Sequence, residues 1–178
     1  DTSIIDPDKS IVGTYRMMRE EGANKAGRFY TSDEFDISKL LNGYEGLLEM
    51  GRSCVLPEYR TKAVLQLLWQ GIAEYVTHYQ VRFLFGCASF HGRDPKAYEH
   101  EISYLYQNHL APQEFRPIGL KNPEVVMNTV AAEDMNIKQI IRNLPPLIKG
   151  YIRIGGTIGD GVFIDHDFDT VDVCVVLS

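Results

Sequence analysis

The most constraining feature of this chain is a strand, a turn and a helix in immediate succession. Residues 46–55 are β-rich and carry only two charges, Glu49 and Arg52. After the turn, apolar residues recur at three- and four-residue spacing, which predicts an amphipathic helix with one buried face. An apolar run over residues 81–90 follows and predicts a buried strand parallel to the first. The predicted buried face comprises Val64, Leu67, Leu68, Ile72, Tyr75, Val76 and Tyr79.

The turn before this helix has the composition of a phosphate-binding site. Arg60 and Lys62 bring positive charge, and the first N–H groups of a helix, here those of residues 62–65, lack partners within the helix. The helix dipole adds to the attraction of an anion. A carboxylate one strand-length away then suggests transfer of a group from a phosphate-bearing carrier, whereas an ordinary charged helix start is the alternative. The residues predicted to bind the phosphate are Arg60, Lys62, Ala63 and Val64.

Glu49 and Arg52 would point to opposite faces of a regular strand, because side chains alternate along it. A bulge near Gly51 would bring the two together and splay the neighbouring strands. Glu49 could then act as a base toward an acceptor ammonium, directly or through water. The alternative is a structural ion pair between Glu49 and Arg52 that orients the site without exchanging a proton. The sequence leaves both open.

Bulk composition limits the classes of protein to consider. The 178 residues are 44% hydrophobic, enough for one compact domain over residues 1–178. A formal charge of −6 argues against general nucleic-acid binding. Cys54, Cys87 and Cys174 are too few and too scattered for a disulfide framework or a zinc cluster, which favours a reducing, cytoplasmic setting. No apolar run approaches the ~20 residues of a transmembrane helix.

The remaining segments complete the prediction of a mixed α/β domain. A hairpin is expected at the start, with strands at Thr2–Ile5 and Ser10–Met17, and polar residues 19–34 predict a mobile loop. Asp36 is a candidate cap for a short helix. Further helices are predicted over residues 94–109 and 134–154, the second interrupted by Pro145-Pro146, and strands near 157–164 and 171–177.

The run Glu49-Met50-Gly51-Arg52-Ser53-Cys54-Val55, followed by Pro57-Glu58-Tyr59-Arg60, resembles the core of the ornithine lipid N-acyltransferases, some of whose relatives are labelled hemolysin-like. These enzymes are part of the GCN5-related N-acetyltransferase superfamily. They are similar in turn to the acyl-homoserine lactone synthases, which share an acidic-x-x-Arg strand. The resemblance runs in order through residues 11–16, 35–37, 86–90, 144–151, 167–170 and 173–177.

This resemblance implies an α/β fold with a mixed sheet whose splayed central strands admit a pantetheine arm. It also implies that a strand and one or two helices normally precede the first hairpin, so we expect an N-terminal piece to be missing. In the wider superfamily the phosphate loop reads Gln/Arg-x-x-Gly-x-Gly/Ala. Ala63 and Leu65 replace both glycines here, and leucine restricts close approach of a pyrophosphate. The departure favours the single phosphate of an acyl carrier protein over coenzyme A.

The resemblance also implies roles for individual residues. The thioester carbonyl would lie against backbone N–H groups near Cys54 and Val55, which would stabilise an oxyanion, while the Cys54 side chain is expected in the core. Ser89 would help to hold the pantetheine amides. Tyr106 is the candidate that protonates the departing thiolate. A strand-end hydroxyl and a core tyrosine are the respective alternatives for Ser89 and Tyr106.

The reaction implied is direct transfer of a 3-hydroxylated or plain fatty acyl chain from acyl carrier protein to the α-amine of an amino acid. Ornithine, glycine and similar acceptors fit equally. No metal and no tightly bound cofactor is expected, the donor being acyl-phosphopantetheine or acyl-CoA. Residues 165–169 resemble a calcium loop only superficially and are expected near the charged group of the acceptor.

The predicted partners are an acyl carrier protein, the amino acid acceptor and the inner membrane surface, with no nucleic acid. Lys138, Arg142, Lys149 and Arg153 give one region a basic side that could meet either the carrier or an anionic membrane; an ordinary solvated helix face explains them equally well. The alternatives for the whole chain are an acyl-homoserine lactone synthase-like enzyme and a non-catalytic carrier- or membrane-binding module.

Overall fold

The computed structural model describes residues 11–178. A six-stranded sheet has the strand order β1-β3-β4-β8-β6, with β7 also paired to β8. Strands β3 and β4 are parallel, whereas the other neighbours in this sheet are antiparallel. A separate antiparallel pair is formed by β2 and β5. The strands are β1 (Gly13–Arg19), β2 (Phe35–Asp36), β3 (Leu47–Val55), β4 (Phe83–His91), β5 (Ile118–Gly119), β6 (Thr157–Ile158), β7 (Phe163–Asp165) and β8 (Thr170–Leu177).

The helices largely follow the prediction, with one exception. The predicted loop over residues 19–34 is wrong, because this segment contains a helix and then a 3-10 turn, Tyr30–Asp33. Glu20 and Glu21 favour the N-terminus of that helix, and Gly27 ends it in the left-handed conformation. The predicted strand at Thr2–Ile5 lies outside the described residues. The helices are α1 (Glu20–Ala26), α2 (Ser38–Gly43), α3 (Lys62–His78), α4 (Glu99–His109), α5 (Ile137–Asn143) and α6 (Pro146–Arg153).

The two faces of the sheet carry separate cores. On one face, Leu48, Met50 and Leu84 pack with side chains of α3, α4 and α6. On the other face, Leu47 and Phe85 pack with α1, α2 and the segment between them. Alternation along β3 therefore places Glu49 on the second face, together with Leu47. We call the first the helical face and the second the Glu49 face.

The predicted buried face of α3 is partly wrong. Ile72 is buried and Leu68 is half-buried, but Leu67 is 67% exposed and Tyr79 is 40% exposed. Helix α3 packs over β1, which is the edge strand of the sheet. Only a narrow stripe of the helix is covered there, so the apolar periodicity of the sequence overstates the buried area. Within residues 11–178, no helix combines the length and the apolar character needed to cross a membrane.

Candidate functional site

The central strands separate soon after they begin to pair. Strands β3 and β4 are in register only from Leu47 opposite Phe83 to Glu49 opposite Phe85, although both strands run on for several more residues. Beyond that point β3 pairs with β1 alone and β4 with β8 alone. The predicted splay is therefore present, and it leaves an opening that begins next to Glu49.

Gly86 lies at the point of divergence. A Cβ atom at this position would be 2.1 Å from the carbonyl oxygen of Met50, far inside van der Waals contact. The two backbones therefore approach each other closely before they part, and a residue without a side chain is required. A small cavity on the helical face borders this point and is lined by Met50, Leu84, Phe85, Gly86, Tyr151 and Val175.

The predicted bulge is also present. Between the pairs Arg16–Gly51 and Thr14–Cys54, the register shifts so that β3 contains one more residue than β1. Arg52 lies in this bulge with φ of 53°, a left-handed conformation that is uncommon outside glycine. The extra residue bends β3 away from β4 and reverses the alternation of side chains beyond Gly51.

The predicted pairing of Glu49 with Arg52 is wrong. Glu49 is 1% exposed, and its Oε2 accepts a hydrogen bond from Arg16 Nη2 at 3.2 Å. Its Oε1 accepts from the backbone N–H of Thr31 at 2.6 Å and from the Thr31 hydroxyl at 2.7 Å. Arg16 reaches Glu49 because the antiparallel register places Arg16 opposite Gly51. Gly51 is two residues after Glu49 in β3 and therefore lies on the same face of the sheet. Three donors hold the carboxylate, which supports the structural interpretation, while its action as a base stays a prediction.

Arg52 instead lies at the mouth of the opening on the Glu49 face. Its guanidinium is 5.1 Å from the centre of the Tyr30 ring and 4.7 Å from that of Phe168, which are cation–π distances. The side chain therefore connects the bulge of β3 to the turn between β7 and β8, across the gap in the sheet. A guanidinium so placed is available to an anionic group of a substrate.

Two tyrosines meet on the helical face of the opening. The hydroxyls of Tyr15 and Tyr151 are hydrogen-bonded to each other, and Ser53 adjoins Tyr15. Burial raises the pKa of both phenols, so both stay protonated near neutrality and can donate. Tyr106, the residue predicted to protonate the thiolate, is half-buried on α4 against the same core. Its role stays a prediction, and Tyr151 is the tyrosine that borders the point of divergence.

The turn predicted to bind phosphate has fewer free donors than expected. The Thr61 hydroxyl caps α3 by accepting from the N–H of Val64, and the N–H of Leu65 donates to the Thr61 carbonyl. Only Lys62 and Ala63 keep N–H groups without an acceptor among the described residues. The prediction that all four N–H groups from 62 to 65 serve a phosphate is therefore wrong, since a side chain already caps the helix.

Arg60 keeps its side chain exposed next to the start of α3, and its contact with a phosphate stays a prediction. Its Nε donates to the carbonyl of Val55 at 3.0 Å, so the exposed guanidinium lies at the end of β3. Lys62 and Ala63 are exposed beside it. Charge and two backbone donors remain together at this end, which suits one phosphate better than two.

The two predicted oxyanion donors differ in direction. Leu56 donates to the carbonyl of Val12, so Val55, opposite Gly13, occupies the next, non-hydrogen-bonded position of the antiparallel ladder. Its N–H therefore points away from β1, toward the opening, whereas that of Cys54 points toward Thr14. The expectation of a core Cys54 side chain is wrong, because this residue is exposed. The reversal of alternation at the bulge turns it outward.

A cluster of acidic side chains lies on the Glu49 face. Glu34, Asp165 and Asp172 are all buried, and a carboxylate oxygen of each lies within 4.8 Å of the others. Glu34 follows the 3-10 turn whose Thr31 binds Glu49, while Asp165 ends β7 and Asp172 lies in β8. Ser89, the predicted pantetheine contact, is the β4 neighbour of Asp172 and is exposed at the edge of this cluster. We call Glu34, Asp165 and Asp172 the acidic cluster; in the described part of the chain it is the one such group close enough to hold a cation.

The members of the acidic cluster differ in how well they are satisfied. Asp165 accepts from the N–H groups of Asp167 and Phe168 at 2.7 and 3.0 Å. Neither oxygen of Glu34 has a hydrogen-bond partner within residues 11–178, nor has Oδ1 of Asp172. Burial raises the pKa of Glu34 to about 7, with the Asp172 charge adding to the rise and contacts to Cys87 and Tyr30 opposing it. Burial likewise raises the pKa of Asp172.

Sequence reasoning did not find Glu34, Asp172, Tyr15 or Tyr151. One signal was available for Asp172, because it is the one charge inside the run Val-Asp-Val-Cys-Val-Val-Leu, and a charge in a buried strand is rare without a function. Glu34 carries no such signal, since the sequence around it is polar.

Comparison with known proteins agrees with this geometry. Residues 2–70 match the family model described as "Acetyltransferase (GNAT) domain". The matched range includes β1, β3 and the start of α3. It is 44% identical over 174 residues to an L-ornithine N(alpha)-acyltransferase of Agrobacterium fabrum, which covers 97% of this chain and 59% of that protein. It is 43% identical to the protein of the same name from Brucella abortus, over 99% of this chain and 64% of that protein.

A third protein with this name, from Rhizobium meliloti, is 42% identical over 99% of this chain and 61% of its own length. The chain thus spans about three-fifths of the length of the curated relatives that it matches. No solved structure matches the chain. The predicted fold, a GNAT-like mixed sheet with splayed central strands, is confirmed by the family match and by the pairing of β3 and β4.

Proposed function

We propose that this protein transfers a fatty acyl chain from the phosphopantetheine thioester of an acyl carrier protein to the α-amine of L-ornithine. The observation that carries the proposal is the identity of 39–44%, over 94% or more of the chain, to four proteins named L-ornithine N(alpha)-acyltransferase. The opening between β3 and β4 supports it, because a thioester arm requires a gap between strands to reach an acceptor on the other face.

The carrier protein as donor is supported by the turn at the start of α3. Arg60 and Lys62 supply positive charge, and the N–H groups of Lys62 and Ala63 supply two hydrogen bonds, enough for one phosphate. Leu65 occupies the position where the wider family usually has glycine, which hinders close approach by a pyrophosphate. Acyl-CoA is therefore the weaker donor candidate.

In the proposed reaction the acceptor nitrogen attacks the thioester carbonyl carbon. A C–N bond forms and the carbonyl oxygen becomes an oxyanion, which the N–H of Val55 is oriented to stabilise. The C–S bond then breaks, and the amide and a thiolate result. The proton of the amine passes to Glu49 or to water, and a tyrosine of the helical face, Tyr151 or Tyr106, donates a proton to the sulfur.

The test is incubation of the purified protein with a 3-hydroxyacyl carrier protein and a panel of amino acids, followed by mass spectrometry of the lipids. We expect N-acyl-ornithine and free carrier thiol in equal amounts. Lactone release from S-adenosylmethionine would favour the synthase-like alternative. Absence of any acyl transfer would favour a binding module.

Two matched variants separate the donor classes. Arg60→Gln should raise the KM for acyl carrier protein about 10-fold, because a charge-assisted contact to phosphate is lost. Arg82→Gln, an equal loss of charge at an exposed residue just before β4, should leave the KM for the carrier unchanged. Faster turnover with acyl-CoA than with acyl carrier protein would contradict the carrier as donor.

The location that fits this product is the cytoplasmic face of the cell membrane, to which we propose that the protein binds peripherally. Lys138, Arg142 and Arg153 are exposed along the α5–α6 region and suit an anionic surface. Sedimentation with anionic vesicles, and not with neutral ones, is expected. Equal sedimentation with both would contradict this proposal.

A further inference from the structure

We propose that the acidic cluster, with the hydroxyl of Thr170, forms the subsite for the side-chain ammonium of a basic amino-acid acceptor, the amine that is not acylated. This inference rests on the proposed function and adds to it the physical basis for choosing ornithine over neutral amino acids.

Burial without partners is the first observation. Glu34 is 2% exposed, Asp172 is 4% exposed and Thr170 is 8% exposed. Both oxygens of Glu34, one oxygen of Asp172 and the Thr170 hydroxyl lack hydrogen-bond partners among the described residues. Buried groups of this kind are costly to leave unmatched and are rare in native structures. A ligand that supplies several N–H donors would satisfy all of them at once.

The Thr170 hydroxyl is directed at the carboxylates. Thr170 is opposite Asp165 in the β7–β8 ladder and two residues from Asp172 on the same face of β8. Its hydroxyl lies close to Asp172 and lowers the pKa of that carboxyl, although the two do not meet in hydrogen-bond geometry. The unmatched acceptors therefore surround one small volume instead of lying scattered through the core.

The negative charge of the cluster favours binding of a cation. Because it has three carboxylates, the cluster favours an amine that keeps its proton throughout the reaction. Carboxylates around an amine favour its protonated form. The nucleophilic amine must be neutral to attack, so a site with three carboxylates would hinder the reacting nitrogen. The same site suits the second ammonium of a diamino acid, which stays protonated throughout the reaction.

The position of the cluster relative to the opening fits this assignment. Glu34 contacts Cys87, and Cys87 is two residues beyond Phe85, the last residue of β4 that pairs with β3. The cluster thus borders the opening on the β4 side of the Glu49 face. Tyr30 lies between it and Arg52, since Tyr30 contacts Glu34 and its ring is stacked on the Arg52 guanidinium. Opposite charges on the two sides of this tyrosine match the ammonium and the carboxylate of an amino acid.

The experiment compares L-ornithine with L-norvaline, which has the same carbon chain and no side-chain ammonium. Acyl transfer is measured for the unaltered protein, for Asp172→Asn and Glu34→Gln, and for Asp134→Asn as a matched control with an exposed carboxylate outside the cluster. We expect the unaltered protein to prefer ornithine by at least ~100-fold in kcat/KM. The two cluster variants should lose ~10- to 100-fold with ornithine and less than ~3-fold with norvaline, and the control should resemble the unaltered protein.

Equal losses of kcat/KM with both acceptors would overturn the inference and assign the cluster to structure or proton transfer. Equal kcat/KM of the unaltered protein for ornithine and norvaline would also overturn it. Calorimetric binding of ornithine without any acyl donor separates this inference from the proposed function. Binding that Asp172→Asn abolishes and Asp134→Asn keeps supports the subsite even where no acyl transfer is found. Binding of magnesium or calcium together with no binding of ornithine would overturn it. Thermal melting of each variant confirms that it is folded before it is scored.

Discussion

Replacement of Glu34 by glutamine should stabilise the protein, and the gain should depend on pH. Glu34 is buried with no hydrogen-bond partner for either oxygen among residues 11–178. The groups that face it are Tyr30 of its own segment, Cys87 of β4, Asp165 of β7 and Asp172 of β8. None of these is a cation, and burial with the neighbouring carboxylates opposes ionisation of Glu34 in the folded state more strongly than Cys87 and Tyr30 favour it.

The magnitude follows from the pKa. Burial raises the pKa of Glu34 from about 4.5 to about 7, and each pKa unit corresponds to about 1.4 kcal/mol, which gives about 3.5 kcal/mol. Solvent screening and local relaxation reduce this figure, and we expect about 2 kcal/mol. The loss has a definite direction. Below pH 4.5 Glu34 is protonated in both the folded and the unfolded state, and its pKa shift does not affect stability. As the pH rises to 7, Glu34 of the unfolded state releases its proton first, so the free energy of unfolding decreases.

The assay is urea unfolding at pH values from 4 to 8.5, followed by the fluorescence of Trp69, the one tryptophan in the chain, which packs against Tyr151. The free energy of unfolding of Glu34→Gln, minus that of the unaltered protein, should rise by about 2 kcal/mol between pH 4.5 and 7 and then level off. Glu133→Gln, an exposed carboxylate, is the matched control and should show no such rise. Parallel curves for Glu34→Gln and the unaltered protein across this range would refute the reasoning.

Three further predictions concern the opening and its two faces. Gly86→Ala should lower the free energy of unfolding by about 1–3 kcal/mol and abolish acyl transfer, because the new Cβ would meet the Met50 carbonyl. Gly71→Ala, which has open space around it, is the control and should raise the free energy of unfolding by up to about 1 kcal/mol. Equal urea midpoints for the two variants would contradict the steric argument. Thr31→Val should lower the free energy of unfolding by about 1–3 kcal/mol, because it removes a hydrogen-bond donor to buried Glu49. The control is Thr77→Val, whose hydroxyl is exposed. A loss of stability no larger than that of the control would show that the Thr31 hydroxyl is not needed. Tyr151→Phe should lower kcat more than Tyr106→Phe, since Tyr151 borders the point of divergence; the reverse order in single-turnover rates would restore Tyr106 as the proton donor.

Much of the local structure could be predicted because it depends on neighbours in the chain. The run of residues 81–90, the helix after Thr61 and the breaks at Pro145 and Gly155 all follow from periodicity and from residues that start or stop helices. The bulge near Gly51 was predictable too, since the spacing of Glu49 and Arg52 conflicts with strand alternation. The resemblance in residue order supplied the fold.

Contacts between distant segments were not predictable in the same way. Glu49 pairs with Arg16 and not with Arg52, since the register of β1 against β3 brings residue 16 to the correct face. Likewise, the extent of burial of α3 depends on its place over an edge strand, which no helical periodicity encodes.

The amino-acid sequence determined where strands and helices form and which strand carries both Glu49 and Arg52, because those properties arise from interactions a few residues apart. Only the tertiary structure decided that Glu34, Asp165 and Asp172 meet in one buried volume, since 131 residues separate the first from the second. This contact depends on the antiparallel pairing of β7 with β8 and on the 3-10 turn before Glu34, which places Glu34 next to these strands. Sequence distance carries no information about such a contact, and the chemistry of the site depends on it.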